Sequence, residues 1–413
     1  MMDKIYDLII VGYGAAGLMA AAESDGLETL VLEKNASAGK KVLISGKGQC
    51  NFTHDEKLNE FVEHFGEHKN FVKHALGKMT PEMTRQWFRE RGVESVVMDN
   101  GKVFPESLSA GDLVQTMLDE ALNKGVTIHF KQTVESIAWQ EVFEVKTNEA
   151  TSASTYYAKN LLITTGGFTY AVTGSDGDGY KLAKALGHPI EMPRPALTPI
   201  YHSDNMLKEL SGVSIPEAKL TLCREGKTLK TLTGDLLFTH RGLSGPVILN
   251  NSRDFLEGDV LKLAFTAMSA DALAKAFAEK IEKQGKTSVK SYLREICYSK
   301  SIADQLLTAL EINEQVTFAQ ISKVLRQKVV SYLTQFEVTI EQIGGRQIAM
   351  VTAGGVDLKE IKAKNMASKQ VEGLYFAGEV INIDGDTGGY NIQWAFSSAV
   401  LAINDIKAKM ISK

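Results

Sequence analysis

A glycine-punctuated segment at the start of the chain dictates more of the architecture than any other. Ile5 to Val11 is an apolar run of the kind buried on both faces of a sheet. It leads into Gly12-Tyr13-Gly14-Ala15-Ala16-Gly17, an alanine-rich helical stretch to about Ser24, and a second apolar run, Thr29 to Leu32, that ends at Glu33. Strand, glycine loop, helix and strand within about 30 residues are the context of a dinucleotide-binding unit. Gly12 permits the tight turn, Gly14 lets backbone approach a pyrophosphate, and Gly17 lets helix and strand pack closely. Ala15 and Ala16 open a helix whose free N–H groups and partial positive charge favour phosphate. Glu33 follows Gly12 by about 20 residues, where a carboxylate accepts hydrogen bonds from ribose hydroxyls and repels a 2′-phosphate; Lys34 stands beside it.

The far end of the chain repeats this logic. Leu161 to Thr165 is an apolar run ending in Gly166-Gly167, and Gly373 to Ala377 is strand-like and ends in Gly378-Glu379. A polar loop, Asp384-Gly385-Asp386-Thr387-Gly388-Gly389-Tyr390, precedes a helical pattern from Asn391 and Ile392 to about Lys409, rich in small residues. In two-lobed reductases such a unit holds the ribityl chain and pyrimidine edge of a flavin, and its helix N-terminus favours negative charge on the reduced ring. This selects FAD over NAD as the resident dinucleotide.

Composition removes other classes. The chain has 413 residues, 44% of them apolar, enough for a sizeable core and incompatible with a disordered chain. With 46 basic and 50 acidic residues, nothing in the global charge demands a nucleic-acid or membrane partner. The uncharged stretch Leu8 to Ala22 falls short of the roughly 20 residues a bilayer span needs. Cys50, Cys223 and Cys297 are far apart with no CxxC, which argues against a disulfide framework or a zinc site and for a reducing, cytoplasmic setting.

Between the two ends, residues 36–54 form a glycine-bearing loop that should lie over the dinucleotide, with the backbone of Ser45, Gly46 and Gly48 and the nearby Asn51 facing it. Cys50 reads as a buried structural thiol, since no partner cysteine is near. Met83 to Arg91 and Ala110 to Lys124 are helical, and Val126–Phe130, Val134–Ala138, Val142–Val145 and Tyr156–Ala158 alternate like strands. Gly174 to Tyr180 is acidic and reads as a capped helix start. From about 190 to 345 the texture changes. Three prolines, Pro193, Pro195 and Pro199, precede short strand-like runs, and residues 270–334 read as several short helices. Between Lys275 and Lys300 stand seven basic and three acidic residues, a solvated helix face or a surface for RNA or an anionic substrate. Return strands are expected at Phe336–Ile340 and Gln347–Val351, with Thr352 to Val356 a junction touching the flavin ring.

Five segments carry a family resemblance: Gly12–Gly17, Leu43–Asn51, Gly174–Gly187, Phe238–Pro246 and Gly388–Ala395. Together they resemble the bacterial aminoacetone-oxidase-like, or BaiN/YhiN-like, NAD(P)/FAD-dependent oxidoreductases, along essentially the whole chain. The resemblance implies an α/β fold, a two-lobed FAD-binding Rossmann-type domain with an inserted small β-barrel and a helical cap. The boundaries implied are 1–190 and 345–413 for the FAD domain, 191–268 and 335–344 for the barrel, and 269–334 for the helices. It also implies backbone contact between Val134 and the adenine. Family members often carry Arg where this chain has Gln49.

No second GxGxxG with strand and helix flanks is found, so an NAD(P)H donor has no Rossmann domain of its own and must dock transiently at the flavin. The expected activity is hydride transfer from reduced FAD to an activated C=C bond or similar acceptor, with His240 and Tyr390 as candidate proton donors and no metal. The substrate is a small molecule or, as some relatives imply, a uridine in ribosomal RNA. A non-catalytic redox sensor is the alternative of another class.

Overall fold

The computed structural model describes residues 4–149 and 152–411. The chain divides into two compact units: one takes the chain through Ala196 and again from Arg346, and the other is Leu197–Gly345.

The first unit is built on a seven-stranded sheet. Thr127–Phe130, Thr29–Glu33, Ile5–Val11, Ser152–Ile163 and Leu374–Phe376 lie side by side and parallel. Ser152–Ile163 is long enough to serve two neighbours along one edge. Its last residues pair with Leu374–Phe376, and its first with Phe143–Glu149, which pairs with Thr133–Trp139 in an antiparallel meander. The centre of the parallel sheet, Leu8–Val11, Leu30–Leu32, Leu161–Ile163 and Leu374–Phe376, is apolar and buried because helices cover it. Ala15–Ala22 packs on Tyr390–Ile411 and on Ala110–Asn123. Ala20, Ala21 and Ala22 on the first of these helices and Ala399 and Ala402 on the last are buried, and small residues of this kind let helix axes come close.

The helices expected at Met83–Arg91 and Ala110–Lys124 form as Pro81–Arg89 and Ala110–Asn123. Thr80 caps the former, its hydroxyl accepting the Met83 N–H at 3.2 Å, and Pro81 fills the first turn. The return strand expected at Gln347–Val351 is displaced. It runs Val351–Val356 and pairs antiparallel with Ile190–Ala196. Gly354 and Gly355, which read as loop residues, sit in this strand because neighbouring backbone leaves no space for a side chain. A Cβ would lie 2.5 Å from the Met192 carbonyl at Gly354, and 2.7 Å from the Val380 carbonyl at Gly355.

The second unit holds a seven-stranded antiparallel sheet in the order Phe336–Thr339, Val260–Leu263, Ser214–Arg224, Lys227–Phe238, Gly242–Ser244, Ile200–Tyr201, Gln342–Ile343. Its two outermost strands are joined by Ile340 and Glu341 alone, a link of at most about 11 Å between Cα atoms. The sheet must therefore roll far enough to bring the ends of its two edge strands together, which makes it barrel-like. The Ile340 N–H bonds to the Asp259 carbonyl and the Glu341 N–H to the Tyr201 carbonyl, one on each side of the seam. Four helices stand between the strands Val260–Leu263 and Phe336–Thr339: Ala270–Gln284, Val289–Ile296, Lys300–Ala309 and Lys323–Gln335, each N-capped by a serine hydroxyl. Phe265, Phe277, Leu293, Leu306 and Leu333 join helices and sheet in one core. Within the basic run, Lys290 pairs with Asp304 and Glu314 and Arg294 with Asp304, so part of that charge is spent locally.

Among the described residues no helix is long and apolar enough to cross a membrane, and no cluster of His, Cys, Asp and Glu could hold a metal ion.

Candidate functional site

The glycine loop after the first strand has three different glycines. Gly12 adopts φ +95°, which the turn requires. A Cβ at Gly17 would fall 2.1 Å from the Gly12 carbonyl oxygen, so the helix can start there only without a side chain. Gly14 is extended, and a Cβ built on it meets no atom within 4 Å. No side chain caps the helix it precedes, so the N–H groups of that first turn are left without a side-chain partner. At the end of the second strand the buried Glu33 carboxylate accepts the Tyr13 N–H at 2.6 Å and the Asn35 N–H at 2.7 Å. Each oxygen keeps a lone pair for a hydroxyl. The Gln132 N–H bonds to the Glu33 carbonyl, which brings the strand carrying Val134 alongside. Lys34 turns to Asp176 and Asp178 at 2.6 and 3.0 Å, so the acidic loop at the start of helix Asp178–Ala185 receives an ammonium.

The C-terminal segment reaches the same helix. A Cβ at Gly378 would lie 3.0 Å from that of Ala16 and 3.7 Å from that of Ala395, so Gly378 is wedged between the first helix and the last. Its N–H bonds to Ser398 Oγ at 2.9 Å and its carbonyl accepts the Trp394 Nε1–H at 3.2 Å. Glu379 accepts the Thr352 N–H at 2.8 Å and pairs with Lys41 Nζ at 2.9 Å. Burial works against this carboxylate's charge, but the Lys41 ammonium and Thr352 hold it below the usual range. Gly166 and Gly167 lie here too, crowded by Ser175 and Thr352, and Thr165 Oγ1 is packed so tightly on Gly179 that a Cβ there would be 1.8 Å away.

The loop ahead of the last helix meets the segment after the second strand. A Cβ at Gly389 would strike the Thr53 carbonyl at 2.5 Å. Asn391 braces the loop from within, exchanging hydrogen bonds with Gly385 N and O at 2.8 and 2.9 Å, and Ile392 packs half-buried behind it. The Ser45–Gly48 turn holds Gly46, Lys47 and Gly48 in left-handed conformation, and Ser45 Oγ bonds the Val42 carbonyl at 2.7 Å. Asn51 accepts the Val103 N–H at 3.2 Å. Cys50 is fully buried, and burial pushes its thiol up to about 11, as suits a structural rather than a reactive thiol.

The two candidate proton donors occupy different units. His240 is exposed on the turn after Lys227–Phe238, with Nδ1 2.8 Å from Ser211 Oγ. Tyr390 is enclosed at the start of the last helix and donates to Glu56 at 3.1 Å. Around it stand His54, His64 and Asp386, a group that motif reading missed. The available signal was density: four of the eight histidines, His54, His64, His68 and His74, fall within one short stretch.

This arrangement fits an elongated dinucleotide: open space before Gly14, uncapped N–H groups, an acid with spare lone pairs, and a second glycine segment on the same helix. It agrees with what the chain resembles. A profile described as the HI0933-like protein Rossmann domain matches residues 6–405. The chain is 32% identical over 407 residues to a ribosomal RNA dihydrouridine synthase of Haemophilus influenzae, covering 96% of this chain and 98% of that protein. It is 28% identical over 405 residues to a 3-dehydro-bile acid delta(4,6)-reductase of Clostridium scindens, covering 95% and 97%. Among solved structures, a flavocytochrome c3 fumarate reductase superposes with TM-score 0.53 at 15% identity, covering 98% of this chain and 78% of that one. A 3-ketosteroid delta1-dehydrogenase of Sterolibacterium denitrificans gives 0.52 at 13%, covering 98% and 100%. The chain belongs to the HI0933-like family of Rossmann-type flavoprotein oxidoreductases.

Proposed function

We propose that the chain binds FAD across its two glycine segments and uses it to reduce a C=C bond conjugated to a carbonyl. The observation that carries this is the wedge at Gly378, which seats the C-terminal segment on the fingerprint helix beside Ala16. Gly12 to Gly17 and the N-terminus of Ala15–Ala22 would hold the pyrophosphate, Glu33 the ribose, and the loop Asp384–Gly389 the flavin half. When bound and reduced, FAD supplies a hydride. The protein must place the acceptor and supply a proton to the neighbouring carbon, the role to be tested at His240 and Tyr390. NAD(P)H is the proposed donor, docking transiently. The three cysteines are free, which suits work in the cytoplasm.

Two relatives support the bond type. Their names describe saturation of a uracil ring in RNA and of a bile-acid double bond, and both bonds are conjugated to a carbonyl. The RNA reading is the second candidate, favoured by 32% identity along nearly the whole chain.

The test is anaerobic. NADH or NADPH is added to the purified protein and bleaching followed at about 450 nm, then reoxidation by a steroid enone or by ribosomal RNA lacking dihydrouridine. Saturated product from either acceptor supports the proposal and identifies the substrate. Bleaching without product from any acceptor points to a redox sensor. A protein without flavin absorbance, and gaining none from added FAD, sinks the cofactor assignment. His240→Asn and Tyr390→Phe, each assayed with FAD saturating, then locate the proton: loss of the true donor slows turnover about 10²–10⁴-fold while reduction of the bound flavin is unchanged.

A further inference from the structure

Behind the C-terminal glycine loop lies a closed set of titratable side chains drawn from four places in the chain. Tyr390, at the start of the last helix, has its ring between the imidazoles of His64 (centroids 4.0 Å apart, 19° between planes) and His54 (5.2 Å, 17°), with Phe61 closing a third side. Glu56 sits at the hydroxyl end. Its Oε1 accepts from Tyr390 at 3.1 Å and lies 3.3 Å from His54 Nε2, and its Oε2 lies 3.3 Å from His64 Nε2. The other nitrogen of His64 is 3.1 Å from Asp386 Oδ2, and the Asp386 N–H donates to the His64 carbonyl at 3.0 Å. His54 Nδ1 is 3.0 Å from the Gly388 carbonyl, which can only accept, so that nitrogen carries hydrogen.

We infer that Glu56 and His64 are positioning residues: through Tyr390 and Asp386 they hold the loop Gly385–Gly389 in the form that receives the flavin half of the cofactor. This rests on the FAD reading above. The chemistry of His64 sets how the support works. Both of its ring nitrogens face carboxylate oxygens, and a neutral imidazole has only one N–H. Deprotonation therefore aims a lone pair at Glu56 or Asp386, whereas the imidazolium hydrogen-bonds Asp386 and offers its positive charge to Glu56 as an ion pair. Burial opposes that charge, but the Asp386 and Glu56 carboxylates outweigh it and raise the His64 pKa. Burial and Glu56 also push the Tyr390 phenol up, so it stays a donor. Glu56 and Asp386 are the charged groups facing His64. On the same segment, Glu67 is turned to His68 and Glu63 to Lys69. Because the folded pKa is raised, the support is complete below the unfolded value of roughly 6.5 and is lost as pH rises through the folded value. Because the loaded form holds the loop in its supported shape, FAD affinity should weaken as pH rises between the His64 pKa values of the apo and loaded forms, by about tenfold for each unit of difference between them.

Two measurements test this on the full-length protein. The first is the ¹H–¹⁵N titration of His64 in wild-type apoprotein, which needs no cofactor. The second is FAD titration between pH 6 and pH 9 for wild type, Glu56→Gln and His64→Gln, with Glu63→Gln as control. His64 should titrate above roughly 6.5 in wild type and lower in Glu56→Gln. The wild-type Kd should rise with pH, and His64→Gln should bind weakly at every pH. Glu63→Gln should match wild type. A His64 that titrates at or below the ordinary value overturns the proposal. So does FAD affinity identical to wild type in both cluster variants across the range. Wild type that takes up no FAD at any pH defeats the cofactor reading and this inference with it, and the His64 titration distinguishes that failure from a failure of the cluster alone. If Glu56→Gln does not fold, the wild-type titration and His64→Gln still decide.

Discussion

Gly17 and Glu379 show how single side chains, or their absence, fix the site. Gly17 cannot accept a methyl group, because backbone of Gly12 stands 2.1 Å from where its Cβ would be. Gly17→Ala should cost about 1–3 kcal/mol by overpacking, read from the urea midpoint. A midpoint within error of wild type would show that the loop yields freely. Glu379 is tied to Lys41, 338 positions earlier in the chain. Lys41→Met leaves a mostly buried carboxylate with one N–H donor and should cost about 1–3 kcal/mol near neutral pH. The sign of its pH dependence follows from the depressed folded pKa. The stabilisation is present above the unfolded value of roughly 4.3 and is lost as pH falls through the folded one. The wild-type advantage over Lys41→Met should therefore shrink on acidification, and an advantage that grew instead would refute the assignment.

At the scale of elements, hydrogen bonds to Gly378, just after the strand Leu374–Phe376, and to Tyr375 within it register the last helix against the sheet. Ser398 accepts the Gly378 N–H and Trp394 donates to its carbonyl. Ser398→Ala should strand that buried N–H and cost about 1–3 kcal/mol with little loss of packing, checked by urea denaturation. Much of this was legible in advance where the information is local. The strand–loop–helix–strand run at residues 5–33 and the Gly373–Lys409 run both announce themselves through glycine spacing and apolar period. The return strand was misplaced because Gly354 and Gly355 ordinarily break strands, and only the backbone of Met192 and Val380 explains them. The histidine density around His54 and His64 was visible, but what the group does was not, for another reason. Its partners, Asp386, Gly388 and Tyr390, lie more than 300 residues away, and no local period connects them.

For the molecule as a whole, the order of the chain explains how a large insertion leaves the first core intact. The chain departs after Ile190–Ala196 and returns into Val351–Val356, and these strands pair with each other. The parallel sheet, the fingerprint helix and the last helix thus belong to one unit, made from both ends of the polypeptide. In the proposed function, one coenzyme lies along both glycine segments. Gly14 offers the cleanest probe, because its backbone is extended and its Cβ direction is empty. Apoprotein of wild type and of Gly14→Val should be titrated with FAD, after their urea midpoints are compared. The expected result is one FAD per wild-type chain, and a Gly14→Val protein of unchanged stability, within about 0.5 kcal/mol, whose FAD affinity has fallen tenfold or more. Binding by Gly14→Val as tight as wild type, or no binding by wild type, would contradict it.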